Sequence, residues 1–267
     1  MADAAKVFVP ARVFLQPGFS LSLPTPALTV WVQCLWAVQA DQFSSVAKQE
    51  KFYPDGGVSL TIEFQSSGPV VWLALNTQTY QEAIGDQVDL LSVRFQPVGA
   101  FGLLGLPLSD LTSGRVYLGQ DLMPPWYGRL HELLLRLYQL SPQERLAALQ
   151  NWLLGRVTDM DRPMQRAVGM VSTACAGQRS VAELAAELGF TKRTLERYFS
   201  NYVGVTPAAF MRFARLKQAR QLLQSNDGSI AEVAVACGFY DQAHFCHTFK
   251  SLILESPSAY RARKLSS

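Results

Sequence analysis

The sequence predicts two dissimilar parts. Residues 1–157 read as an α+β domain, an antiparallel, partial-barrel-like sheet with helices, and residues 163–263 as an all-α domain of two helix-turn-helix units joined by a long helix. Three observations predict this. Short runs of β-branched and aromatic residues succeed one another between residues 28 and 95 without a long helix among them. The segment Ser180–Phe210 is echoed from Ser229 to Tyr260. The charge also changes sign along the chain: residues 1–160 carry 10 Lys/Arg against 13 Asp/Glu, a balance of −3, and residues 161–267 carry 14 against 8, a balance of +6.

The predicted strands are Leu28–Val38, Val58–Phe64, Val70–Leu75 and Val88–Phe95. Turn residues separate them, at Pro54-Asp55-Gly56-Gly57, Ser67-Gly68-Pro69 and Gly85-Asp86. A short helix is expected after Pro97 and a loop near 112–114. Two amphipathic helices follow, about Pro125–Leu140 with Leu130, Leu133, Leu134 and Leu137 on one face, and Pro142 to about Gly155 with Leu146, Leu149, Trp152 and Leu153 on one face. Ser141-Pro142-Gln143-Glu144 opens the second with a capping residue, a proline in the first turn and a glutamate three residues after the cap. Such leucine stripes more often form a core than an interface; a two-fold interface between copies of the chain is the alternative. Thr158–Pro163, polar and ended by proline, is the expected linker.

In the doubled segment each copy opens with a capping box, Ser180 with Glu183 and Ser229 with Glu232. Apolar residues follow at helical spacing, Gly189 and Gly238 end these helices, and Phe190 and Phe239 turn back to the core. Second helices are expected at about Lys192–Val203 and Gln242–Leu252, with Thr206-Pro207 opening a joining helix to about Leu223. The offset between copies is 49 residues up to the Gly-Phe pair and 50 afterwards, because one residue is inserted before Phe245.

A helix-turn-helix unit lays the N-terminal part of its second helix in the major groove of double-stranded DNA. With Leu195 and Phe199 inward, Thr191, Arg193, Thr194, Glu196 and Arg197 fall at the groove, and with Phe245 and Phe249 inward so do Gln242, Ala243, Cys246 and His247. Arginine pairs bidentately with guanine, glutamate accepts from cytosine, glutamine suits adenine and alanine the thymine methyl. Lys192 and Lys250 are placed for phosphates, which position without reading sequence. The alternative is that these are ordinary solvated faces; two matching copies weigh against it.

On these residues the chain resembles the AraC/XylS family of bacterial transcription regulators over about 163–263. The specific part is Ile230–Arg261, with Ile-Ala-x-Val-Ala, Gly-Phe, Phe-x-x-x-Phe-Lys and Ser-Pro-x-x-Tyr-Arg. The resemblance implies a regulator that binds promoter DNA and recruits RNA polymerase, its N-terminal domain being of an uncharacterised sensor type. Three positions depart from the family pattern: His247 where an arginine is frequent, Leu254 in place of glycine after the helix, and Ala243 in place of serine.

In the N-terminal half, Trp31, Trp36, Tyr53, Trp72 and Arg94 are the candidates for a small-molecule effector pocket, while a turn residue is the favoured reading of Asp55 and an ion pair at a strand end that of Arg94. Regulation without a ligand, through dimerisation or a protein partner, is the alternative. No nucleophile elbow and no Cys-His pair marks an enzyme. His131 is the sole histidine of that half, and no cofactor or metal is expected. Four dispersed cysteines, no signal-peptide pattern and no apolar run of membrane-spanning length predict a cytoplasmic protein.

Overall fold

The computed structural model describes residues 18–39, 48–84, 89–111, 114–175, 179–225 and 228–266. The predicted turn at Gly85-Asp86, the start of the chain and most of the predicted loop near 112–114 lie outside them. Six strands form one antiparallel sheet: β1 (Phe19–Ser22), β2 (Val32–Val38), β4 (Val58–Gln65), β5 (Gly68–Leu75), β7 (Leu90–Phe95) and β8 (Gly114–Tyr117), in the order β1-β2-β7-β4-β5-β8. A separate hairpin pairs β3 (Lys48–Phe52) with β6 (Tyr80–Ile84).

Alternation divides the residues of this sheet between two faces. Leu60, Ile62, Val71, Leu73, Leu91 and Val93 supply one face and are all buried. That face packs under α2 (Tyr127–Leu137) and α3 (Pro142–Leu154), with α1 (Gly99–Leu104) beside them. The ring of Trp31 seats against Gly102 of α1, where a Cβ would come within 2.3 Å of the indole. The opposite face is polar at its centre. The register aligns Trp36, Ser92, Thr61 and Trp72 in one row across four strands. Ser92 and Thr61 are buried there, their hydroxyls 2.9 Å apart, and Ser92 also donates to the Leu60 carbonyl. Two buried hydroxyls that satisfy each other avoid the cost of stranded polar groups.

The strands β1, β3, β6 and β8 are additional to the sequence reading. All are short and, among the described residues, none has paired neighbours on both sides, so their hydrophobic patterns are weak. The expected linker is also shorter than Thr158–Pro163, because α4 (Arg162–Cys175) begins inside it. Pro163 lies in the first turn of this helix, where its missing N–H costs nothing, and the Asp161 carboxylate accepts the Met164 N–H at 2.8 Å. Met164, Ala167, Met170, Val171 and Ala174 bury one face of α4.

The rest of the chain follows the doubled pattern: α5 (Val181–Glu187) and α6 (Lys192–Val203), the joining helix α7 (Pro207–Gln224), α8 (Ile230–Ala236) and α9 (Gln242–Ile253), and finally α10 (Pro257–Leu265). Both capping boxes form. Backbone and hydroxyl hydrogen bonds from Ser180 and Ser229 hold the Glu183 and Glu232 carboxyls below the usual carboxylate range. Gly189 and Gly238 take left-handed φ values of 67° and 72°. Cys237, just past the end of α8, is fully buried, and burial pushes its thiol up to about 11, so it behaves as a small apolar side chain.

The two copies end their second helices alike. Gly204 closes α6 at φ 81°, and a Cβ there would meet the Leu108 carbonyl oxygen at 3.0 Å. Leu254 closes α9 at φ 62° and is exposed. The missing glycine therefore leaves the shape of this helix end unchanged and adds left-handed strain, which solvent around the side chain makes tolerable. Leu254→Gly should raise stability by about 1 kcal/mol, read as a higher midpoint in chemical denaturation.

Candidate nucleic-acid interface

Each second helix presents an exposed N-terminal turn. On α6 the Thr191 hydroxyl caps the helix by accepting the Thr194 N–H at 3.1 Å, and the two threonine hydroxyls lie 2.9 Å apart. Lys192, Arg193, Glu196 and Arg197 are exposed, while Leu195 and Phe199 on the other side are fully buried. Side chains spaced by three and four positions thus form one charged stripe over one apolar stripe.

On α9 the cap is the Asp241 carboxylate, which accepts the His244 N–H at 2.7 Å. Gln242, Ala243, His247 and Lys250 are exposed, and Phe245 and Phe249 are buried. Cys246 is half-buried and packs against the core of this unit, since it borders the buried face between the two phenylalanines. Thr194 is half-buried likewise. The inserted residue of the second copy is Tyr240, which stands 94% exposed in the turn beside the cap. The sequence reading passed over Tyr240 and the exposed His244; the change of offset from 49 to 50 was the available signal.

α7 spans 18 residues, a rise of roughly 27 Å, and runs from the end of the first unit to the start of the second. Its apolar positions are shared, Phe210, Met211 and Phe213 joining the larger core and Leu216, Ala219 and Leu223 the smaller.

The five candidate effector residues do not meet in one place. Trp36, Trp72 and Arg94 belong to the polar face of the sheet. There Arg94 donates to Ser59 at 3.0 Å and pairs with Asp55. Burial works to raise the Asp55 carboxyl, but the Arg94 guanidinium and the Gly57 N–H hold it below the usual carboxylate range. Asp55 is thus both turn residue and ion-pair partner. Cys34, opposite Arg94 in the register, has its thiol pushed up to about 12 by burial. Trp31 is on the helix-covered side, and Tyr53 joins the core of the second helix-turn-helix. Among the described residues no group of three or more His, Cys, Asp or Glu is placed to hold a metal ion, and no helix is long and apolar enough to cross a membrane.

Two capped, outward-facing second helices on a shared joining helix define a double helix-turn-helix domain. Residues 184–263 match a family model described as a helix-turn-helix domain, and this part of the chain is a domain of the AraC type. Residues 21–117 match a domain of unknown function (DUF6597). The HTH-type transcriptional regulator CdhR of Pseudomonas aeruginosa is 33% identical over 102 residues, which are 38% of this chain and 30% of that protein. The HTH-type transcriptional activator RhaS of Yersinia pestis is 38% identical over 81 residues, 30% of each. The chain thus spans about a third of the length of the curated relatives it matches. A solved AraC-type regulator structure from Chromobacterium violaceum is 33% identical, with a TM-score of 0.33 and coverage of 38% of this chain and 91% of that one.

Proposed function

We propose that the chain is a sequence-specific DNA-binding transcription regulator whose N-terminal domain responds to a small ligand. The observation that carries the first part is the pair of exposed, capped helix N-termini on α6 and α9. Arg193 and Arg197 read guanine, Glu196 reads cytosine, and Thr191 and Thr194 line the groove. Gln242, Ala243, Cys246 and His247 form the second, less charged reading face. Lys192 and Lys250 hold phosphates. RNA polymerase and a second copy of the chain are the proposed protein partners, and the work of the chain is regulatory, with no catalysis assigned to it.

The ligand part is supported by the Trp36–Ser92–Thr61–Trp72 row, two indoles flanking two buried hydroxyls with Arg94 on the same face. Apolar walls with few polar groups are the usual composition of a small-molecule site. Domain limits of 1–157 and 163–263 are proposed with it.

The test is selection of duplexes from a randomised pool by the full chain. A bipartite, asymmetric sequence is expected, and recovery of random sequence would refute the reading. Lys192→Ala should weaken binding to all duplexes alike and flatten the salt dependence by about one unit of slope, measured by titration at several salt concentrations. Thermal shift of the full chain against a metabolite panel tests the ligand, with a Thr61→Val/Ser92→Ala double variant abolishing any shift.

A further inference from the structure

We propose that Tyr53, in the N-terminal domain, is a positioning residue for DNA recognition: the segment Lys51–Gly57 clamps the second helix-turn-helix and so sets the spacing between α6 and α9. This rests on the DNA-reading function proposed above. Tyr53 lies at the end of β3 but belongs to the core of the second unit, packed with Leu216, Ala219 and Leu223 of α7. Its ring meets Tyr260 edge-on at 5.9 Å, and the Arg220 guanidinium lies 3.9 Å over it. Its hydroxyl accepts from Arg263 at 2.8 Å and donates to Glu255 at 3.4 Å. Glu255 also accepts from Arg263 at 2.6 Å and from Lys51 at 3.5 Å. Close by, the Thr79 hydroxyl donates to the Leu252 carbonyl in the last turn of α9.

Three residues after Tyr53 the same segment reaches the first unit. Gly56, at φ 67°, lies so close to Phe210 that a Cβ would be 3.3 Å from its ring, with Val205 and Phe213 beside it. Phe101 meets Tyr202 near the end of α6 at 4.5 Å. The N-terminal domain therefore holds the C-terminal ends of both reading helices and leaves their N-terminal turns exposed. It orients them without covering them. The segment is in turn fixed to the sheet: Asn76 donates to the Tyr53 carbonyl at 2.6 Å and accepts the Asp55 and Gly56 N–H groups, and Arg94 holds Asp55. Arg94 shares its sheet face with Ser92 and Thr61, so a change on that face reaches α9 through this turn.

Two linked readers bind cooperatively when the geometry between them matches the DNA, and lose that gain when it is loose. Full-chain Tyr53→Ala should bind the selected bipartite duplex about tenfold more weakly. It should bind a duplex with the second half scrambled as the unaltered chain does, and accept an inserted base pair that the unaltered chain rejects. Tyr53→Phe, which keeps the ring contacts and loses the hydroxyl bonds, should fall between. Amide exchange in α9 and α10 should quicken in Tyr53→Ala, a readout independent of DNA. Unchanged affinity and spacing preference, equal losses on both duplexes, a gain in affinity or unchanged exchange would each overturn the proposal. Failure of the unaltered chain to select any sequence would instead strike the DNA-reading function on which it rests.

Discussion

Arg145→Ala should cost about 3 kcal/mol of stability, among the largest effects of any single polar substitution in the N-terminal half. Arg145 is on the first turns of α3, and its side chain is only 3% exposed. Its Nε donates to the Leu137 carbonyl at 2.8 Å and one Nη to the Tyr138 carbonyl at 3.2 Å. These are carbonyls that α2 leaves without intrahelical partners at its end. The other Nη pairs with Asp89 just before β7, and the guanidinium lies 4.1 Å over the Phe64 ring. One fork thus closes α2, ties α3 to it and fastens both to the sheet. Truncation takes one partner from each carbonyl, the Leu137 oxygen keeping the Leu140 N–H at 3.1 Å, strands the Asp89 carboxylate and opens a void beside Phe64. Asp89 is a quarter exposed, so water recovers part of its loss, which places the cost at the lower end for a broken buried pair. Arg145→Lys should recover less than half of the loss, because an ammonium cannot make the three directed bonds of the fork. Chemical denaturation monitored by tryptophan fluorescence measures both; a midpoint unchanged in Arg145→Ala would show that packing alone holds α2 and α3.

Arg145 also marks where sequence reasoning stops. The capping boxes, the glycine turns and the inward Leu195, Phe199, Phe245 and Phe249 were legible because each is a local pattern, three to six residues wide, and because it occurs twice. The Ser141 cap of α3 was legible for the same reason. Arg145 has no local signature, since its partners are a carboxylate 56 residues away and two backbone carbonyls. Tyr53 is the stronger case. It was placed among pocket aromatics as one of the aromatic residues of the N-terminal half, yet its partner Arg263 is 210 residues distant. The polar sheet face was half legible: Trp36, Trp72 and Arg94 were singled out, but the register that aligns Trp36 and Trp72 with Ser92 and Thr61, and sets Arg94 on the same face, comes from strand pairing. Pro163 was read as the last residue of the linker and lies instead in the first turn of α4, because proline suits the start of a helix as well as the residues before it.

Removing the arginines of α6 should damage sequence reading more than any change on α9. Arg193→Ala and Arg197→Ala should each cost about 1–3 kcal/mol of specific binding and relax preference at one base position, because each removes a bidentate pairing with guanine. The contrast with α9 follows from the exposed residues. α6 offers two arginines and a glutamate around its first two turns, all charge-assisted donors or acceptors. α9 offers Gln242, Ala243 and His247, which give one amide pair, one methyl contact and one imidazole. Both arginines are exposed and, among the described residues, neither is in a side-chain ion pair, so their loss should leave stability within about 0.5 kcal/mol. That separates a reading defect from a folding defect. Competition between the selected duplex and duplexes altered at single positions measures the change: a drop in the specific-to-random ratio with little change in random-sequence affinity is expected. Equal weakening on every duplex would mean that Arg193 and Arg197 grip phosphates, and that α6 is rotated in the groove from the register in which Leu195 and Phe199 face the core and these arginines face the bases.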